Sequence, residues 1–234
     1  MTGVHVSRET VLAPAPPPAA VELFGAALDL MATYAGLLAG AGVERGLIGP
    51  REVPRLWERH LLNCAVIAEL IPVGAAVDDV GSGAGLPGIV LALCRPDLKI
   101  TLVEPLLRRS VFLDEVRVEL GLPNVTVVRQ RAEDRVGAGA DVVTARAVAP
   151  MHRLAGWCLP LLRPGGVLLA LKGASATDEL VEHAAAIRRV GGRDCEVLTV
   201  GAGVVDPPTT VVRVVRDPAA KIRPVRNRKK GGRL

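Results

Sequence analysis

Apolar residues along the chain change their period once. From Val21 to Ala39 they recur every three or four positions (Val21, Phe24, Leu28, Met31, Ala35, Leu38), which predicts a helix with one buried stripe. Glycines between Gly40 and Gly49 break that pattern, and Pro50 stands where a first helical turn tolerates proline. A second helix is predicted over Val53 to Leu70 through Leu56, Leu61, Cys64, Ile67 and Leu70, ended by Pro72-Val73-Gly74. Beyond it, short β-branched runs alternate with helical stretches. Strands are predicted over Ala76–Val80, Lys99–Glu104, Val125–Arg129, Asp141–Ala145 and Gly166–Leu171. The intervening helices cover Leu86–Cys94, Leu107–Leu120, Pro150–Leu162 and Thr177–Val190. Two closing strands, about Asp194–Val200 and Thr210–Val215, are joined by Gly201 to Pro208 without a helix.

Strand–helix alternation implies parallel βαβ units with right-handed crossovers. The closing hairpin turns one strand antiparallel. The expected fold is therefore α/β, a mostly parallel sheet with one antiparallel strand, preceded by an N-terminal helical segment. Four regions follow: a disordered Pro/Ala-rich start (1–20), the helical segment (21–74), the sheet domain (75–216) and a basic flexible tail (217–234).

Composition narrows the class. Half of the 234 residues are hydrophobic, and a chain of this length buries about 70% of its unfolded surface without a disulfide or metal staple. No apolar run is expected to reach the roughly 18 residues of a membrane span, because the least polar stretch, Phe24 to Val43, carries Asp29 and several glycines. Met1 to Pro18 lacks a basic segment followed by an apolar one, so a cytoplasmic protein without a secretory signal is expected. Cys64, Cys94, Cys158 and Cys195 form no CxxC pair, and His5, His60, His152 and His183 no ligand spacing. Buried free thiols and no metal are expected. Charge is distributed unevenly. Against a net +5 for the whole chain, the tail from Asp217 onward carries +6, which leaves −1 for the preceding 216 residues. Such a Gly/Pro-punctuated basic end suits a polyanion-binding arm or a solubility tail.

The densest local signal is Val77-Asp78-Asp79-Val80-Gly81-Ser82-Gly83-Ala84-Gly85-Leu86-Pro87-Gly88, a strand running into a glycine turn and then a helix. Glycines there admit positive φ and a close ligand, and a helix N-terminus offers free N–H groups. Gly81-x-Gly83-x-Gly85 fits an S-adenosylmethionine (SAM) loop, while Gly83-x-Gly85-x-x-Gly88 fits a dinucleotide loop. The second fit requires a loop that starts two residues late, since the first glycine after the strand is Gly81. Glu104, nineteen residues past Gly85 at the end of the second strand, is placed to accept both ribose hydroxyls of either cofactor. One of Asp78 and Asp79 is expected to brace the loop. Glu133 or Asp134, after the third strand, is a candidate for an adenine amine. Arg146, at the carboxyl end of the fourth, is a candidate ligand contact or salt-bridged support.

Taken together, Arg59-His60-Leu61-Leu62-Asn63, the Val77 to Gly88 loop, Arg131-Ala132-Glu133, Ala145-Arg146-Ala147 and Leu171-Lys172-Gly173 resemble one family. It is that of the bacterial small-subunit ribosomal RNA guanine-N(7) methyltransferases, RsmG or GidB (glucose-inhibited division protein B). The likeness runs from about Val43 to Val215. It implies a class I SAM-dependent methyltransferase with a Rossmann-like sheet. The implied substrate is 16S rRNA in the 30S ribosomal subunit, the implied target nitrogen 7 of a guanine. By position, the resemblance implies that Gly81 and Leu86 contact SAM, that Ala132 and Glu133 flank its adenine and that Arg146 closes the pocket. Gly83, Gly85 and Glu104 join them from the loop reading. The pair Asp78-Asp79 departs from the family's single Asp, and which carboxylate braces the loop stays open.

The chemistry is compatible with a ring-nitrogen target. An exocyclic amine needs a polar clamp at the fourth strand, where Thr144-Ala145-Arg146-Ala147 stands, and Asp206-Pro207-Pro208-Thr209 reads as a hairpin turn. Attack on a pyrimidine carbon needs a cysteine at a strand end, whereas Cys158 sits mid-helix. Guanine nitrogen 7 presents a lone pair and no proton, so positioning suffices and no general base is expected. Arg146, Lys172 and His60 are the candidates for that positioning. His60 shares a helix face with Asn63, directed at the SAM pocket or at packing. Lys172, with Lys99 one of two lysines before the tail, is a candidate for a phosphate or the guanine edge, with chance composition as the alternative. A monomer is expected. The rival readings are an NAD-dependent oxidoreductase, a small-molecule SAM methyltransferase and an RNA-binding chaperone without turnover.

Overall fold

A computed structural model describes residues 12–135, 137–146 and 148–221. Its helices are α1 (Pro18–Phe24), α2 (Leu28–Leu37), α3 (Asn63–Ala65), α4 (Gly88–Cys94), α5 (Leu107–Glu119), α6 (Met151–Cys158) and α7 (Ala176–Arg189). Its strands are β1 (Ala76–Val80), β2 (Lys99–Val103), β3 (Val125–Val128), β4 (Ala140–Arg146), β5 (Leu162–Lys172), β6 (Gly192–Val200) and β7 (Thr209–Arg216). The seven strands form one sheet in the order β3-β2-β1-β4-β5-β7-β6. Pairing is parallel from β3 through β5, and β7 runs antiparallel to both β5 and β6. The helix-free final connection is what reverses β7.

Helices cover both faces, so the central strands are apolar nearly throughout. Adjacent residues of β4 show the two layers. Val142 belongs to a core shared with α1, α2, α4 and α5, and Val143 to one shared with α6 and α7. Asp78, Asp79 and Thr144 are the buried polar exceptions in β1 and β4.

The N-terminal segment departs from expectation in three places. Disorder was expected through residue 20, yet α1 begins at Pro18, Ala20 is buried, and the Trp57 indole donates to the Pro14 carbonyl at 2.7 Å. Pro18 has no N–H for the first turn to leave unpaired and its fixed φ suits a helix, so it opens α1. Residues 1–11 lie outside the described residues. Val21, expected on the buried stripe, is 52% exposed; a tight turn over Gly25–Ala27 separates α1 from α2 and re-phases the stripe. Third, Pro18–Gly42 is a continuous helical run of 25 residues with mean hydropathy 1.4, long and apolar enough to cross a membrane by length and composition. In this fold Met31, Tyr34, Ala35 and Leu38 of that run are buried in the core against the sheet.

The second predicted helix is irregular. Pro50–Arg55 is a tight three-residue-per-turn helix with Pro54 inside it, Leu56–Leu62 widens to a π-type turn, and Val66–Leu70 tightens again. Proline removes a donor from the regular ladder. The five-residue step between the buried Leu56 and Leu61 matches the wide turn, which carries His60.

Candidate functional site

Strand register assembles the site. Val80 pairs with Val103 and with Ala145, and Val103 pairs with Val128. The next residue on each strand is therefore Gly81, Glu104, Arg146 and Arg129, side by side beyond the carboxyl ends of the parallel strands. The strand order reverses between β1 and β4, where open α/β sheets hold ligands. A cleft of about 840 Å³ opens there. It is lined by the loop residues Gly81 to Ala84 and Leu86, by Glu104 to Leu106 and Arg109, and by Arg129 to Arg131 and Asp134. Arg146, Val148, Leu47 and Ile48 complete it.

Asp79 braces the glycine loop. Register places it opposite Thr144, whose hydroxyl donates to Oδ1 at 3.0 Å, while the Gly88 N–H donates to Oδ2 at 3.1 Å. Burial pushes its carboxyl up to about 6 against the opposing pull of those donors. Asp78 points to the other face and takes a bidentate ion pair from Arg135 at 2.7 and 3.1 Å. Above them the loop is held by Tyr34, whose hydroxyl donates to the Ala84 carbonyl at 2.8 Å. This anchor from α2 was not foreseen, and nothing in the sequence marks it.

The three loop glycines serve different ends. Gly81 and Gly83 line the cleft with φ of +70° and +58°. A Cβ on Gly83 would meet nothing nearer than 3.7 Å, so its backbone conformation and the cleft beyond set the requirement. Gly85 faces inward. A Cβ there would stand 2.6 Å from Ile89 and 2.8 Å from the Tyr34 hydroxyl.

Glu104 is 1% exposed, and each oxygen accepts one backbone N–H, from Gly83 at 3.0 Å and from Leu106 at 2.9 Å. It ties the β1 loop to the β2 loop. Arg146 is held from behind. Its guanidinium is donor-only and gives Nη2–H to His60 Nδ1 at 2.9 Å, so the neutral ring carries its proton on Nε2 and donates to Glu52 at 3.0 Å. Burial and the nearby Arg146 charge lower the His60 pKa to about 4. The expected pair Arg146 and His60 is thus brought together, with Glu52 as a third member.

Other expected site residues fall outside the cleft. Lys172 donates to the Ala149 carbonyl at 2.8 Å and pairs with Glu179 at 3.0 Å, and Glu179 also accepts the Met151 N–H at 2.6 Å. Its charge is used inside the fold, fixing the connection between β4 and α6, so it does not line the cleft as a free cation. Ala132 is buried and Glu133 half-buried in the turn after β3; their neighbours Arg131 and Asp134 line the cleft instead. Cys64 and Cys158 are buried free thiols, and burial pushes both above the usual thiol range. Ala147 lies outside the described residues.

Comparison with known proteins adds a family match. The family model described as GidB, rRNA small subunit methyltransferase G, matches residues 27–205. The chain belongs to the GidB family. Among its GidB relatives, the ribosomal RNA small subunit methyltransferase G of Salinispora tropica is 58% identical over 233 residues, covering 93% of this chain and 96% of that one. The one from Streptomyces avermitilis is 62% identical over 203 residues, covering 86% and 85%. In fold, this GidB chain is similar to a SAM-dependent methyltransferase from Aquifex aeolicus, with a TM-score of 0.54, 20% identity, and 74% and 98% of the two chains covered.

The GidB cleft fits a SAM-type nucleoside. Each Glu104 oxygen retains a second lone pair after its backbone bond, enough for one ribose hydroxyl each. The dinucleotide alternative fits poorly. It needs Gly85 to admit a ligand, and Gly85 is packed against Tyr34, Ile89 and Leu113.

Proposed function

We propose that this chain methylates nitrogen 7 of a guanine in 16S rRNA of the 30S ribosomal subunit, with SAM as methyl donor. The observation that carries this reading is the GidB match over residues 27–205, which spans the loop, Glu104 and Arg146 in one cleft. SAM, when bound, supplies an electrophilic methyl group on a sulfonium. Glu104 accepts the ribose hydroxyls, and the backbone of Gly81 and Gly83 lies along the cofactor. The turn carrying Ala132, Glu133 and Asp134 borders the adenine side. Arg146, oriented by His60 and Glu52, bounds the pocket where the guanine enters.

The target atom has an in-plane lone pair and loses no proton, so these residues need only orient and exclude water. Among the described residues the cleft lining holds no Asp/Asn-Pro-Pro-aromatic clamp and no cysteine. The same reading takes the protein as a monomer working in the cytoplasm beside its ribosomal substrate. The basic tail is described only to Lys221, and its remainder lies outside the described residues. Thermal shift separates the cofactors: SAM raises the melting temperature and NAD does not. Stabilisation by NAD alone overturns the reading.

A further inference from the structure

The cleft is more positive than its proposed cofactor requires. Its lining carries Arg109, Arg129, Arg131 and Arg146 against Glu104 and Asp134. SAM itself is a net cation, with a sulfonium and an ammonium against one carboxylate. A cationic ligand gains nothing from surplus guanidinium groups, and like charges in a partly dry cleft repel. Two of the four have visible roles. Arg146 is bonded to His60 at 2.9 Å, and Arg109 stands 3.8 Å from Glu104. Arg129 and Arg131 are exposed, and among the described residues neither has a carboxylate within 4.0 Å. Eight other arginines have a carboxylate within 3.4 Å; of those without one among the described residues, Arg129 and Arg131 line the cleft together with Arg146, which is bonded to His60.

We propose that Arg129 and Arg131 form a phosphate-binding rim that grips the RNA strand carrying the target guanine. The inference rests on the rRNA reading above and names the surface through which that substrate is held. Register supports the placement. Arg129 follows Val128, the partner of Val103, and so lies beside Glu104 at the edge of the cofactor cleft, with Arg131 two residues on. Among the described residues the cleft lining includes no aromatic side chain, so the strand is not held there by stacking. The grip is electrostatic, indifferent to base identity and sensitive to salt.

Two variants of the full chain test this, Arg129→Ala/Arg131→Ala and Arg129→Lys/Arg131→Lys, against purified unmethylated 30S subunits. Subunit binding is measured directly by filter retention, without turnover, at several salt concentrations, and SAM binding by calorimetry. The Ala variant should bind subunits at least tenfold more weakly. Its slope of log affinity against log salt should flatten by about one to two, as expected for two lost phosphate contacts. The Lys variant keeps the slope, because a point charge still neutralises a phosphate. SAM should bind the Ala variant as tightly as the parent or more tightly, since two like charges have gone. Unchanged subunit affinity and slope overturn the proposal, as does a SAM dissociation constant raised tenfold, which would assign both arginines to the cofactor. A parent that binds subunits but neither binds SAM nor methylates them would instead overturn the methyltransferase reading.

Discussion

Glu104→Gln isolates the charge at the centre of the site. The amide keeps the shape of the carboxylate and one acceptor oxygen. Its NH2 must face either the Gly83 N–H, now 3.0 Å from Oε2, or the Leu106 N–H, 2.9 Å from Oε1. One buried backbone donor therefore loses its partner, at a cost of about 1–3 kcal/mol. Bound SAM suffers separately, because a hydrogen bond to a charged group contributes about 1.5–3 kcal/mol. At about 1.4 kcal/mol per factor of ten, the SAM dissociation constant should rise between tenfold and a hundredfold. Calorimetry with SAM reads the second effect, and urea unfolding without SAM reads the first. Glu104→Ala should be less stable than Glu104→Gln, since it strands both N–H groups. If Glu104→Gln loses stability but binds SAM like the parent, Glu104 is a loop tie only and the ribose assignment is refuted.

Three further outcomes are expected. His60 is held neutral with its pKa lowered to about 4, so an unfolded chain binds its proton first as pH drops. The stability that neutral His60 contributes is complete above about pH 6.5 and lost towards pH 4, by about 3 kcal/mol. The stability deficit of His60→Gln relative to the parent should shrink across that window in urea unfolding, and a pH-independent deficit contradicts the assignment. Lys172→Ala should cost about 1–3 kcal/mol, by loss of the Ala149 and Glu179 contacts, and leave SAM affinity unchanged; a stable variant with weak SAM binding would return Lys172 to the site. Gly85→Ala should lower the melting temperature far more than Gly83→Ala, because its Cβ meets Ile89 and Tyr34 within 2.8 Å whereas that of Gly83 meets nothing nearer than 3.7 Å. Equal losses would show that packing behind the loop is unimportant.

The sheet was legible because its signal is local. β1 spans the expected Ala76–Val80, β2 and β3 each stop one residue short of expectation, and β7 is longer by one residue at each end. Register then did what no local pattern shows. Asp78 and Asp79 alternate across β1, and only the pairing with Thr144 tells which one faces the loop. The Arg135 partner of Asp78 lies 57 residues away. Composition misled in two places. Four prolines made residues 12–20 read as disordered, although Pro18 is compatible with a helix start. The scarcity of lysine drew Lys172 into the site, while its Glu179 and Ala149 partners come from separate parts of the chain. The N-terminal segment read as a helical prelude, yet it supplies Tyr34, Glu52 and His60, each of which acts on the site through a contact between 2.8 and 3.0 Å.

Methyl transfer to nitrogen 7 of a guanine is read out by incorporation from methyl-labelled SAM into purified unmethylated small subunits, with the modified nucleotide identified. Label should enter 16S rRNA as 7-methylguanine at a single position, in the parent but not in Gly83→Val, whose side chain would be forced to a φ near +58° and into the cleft. Label on an exocyclic amine or a pyrimidine carbon would rule out nitrogen 7 as the target. So would 16S rRNA left unlabelled by a chain that binds SAM.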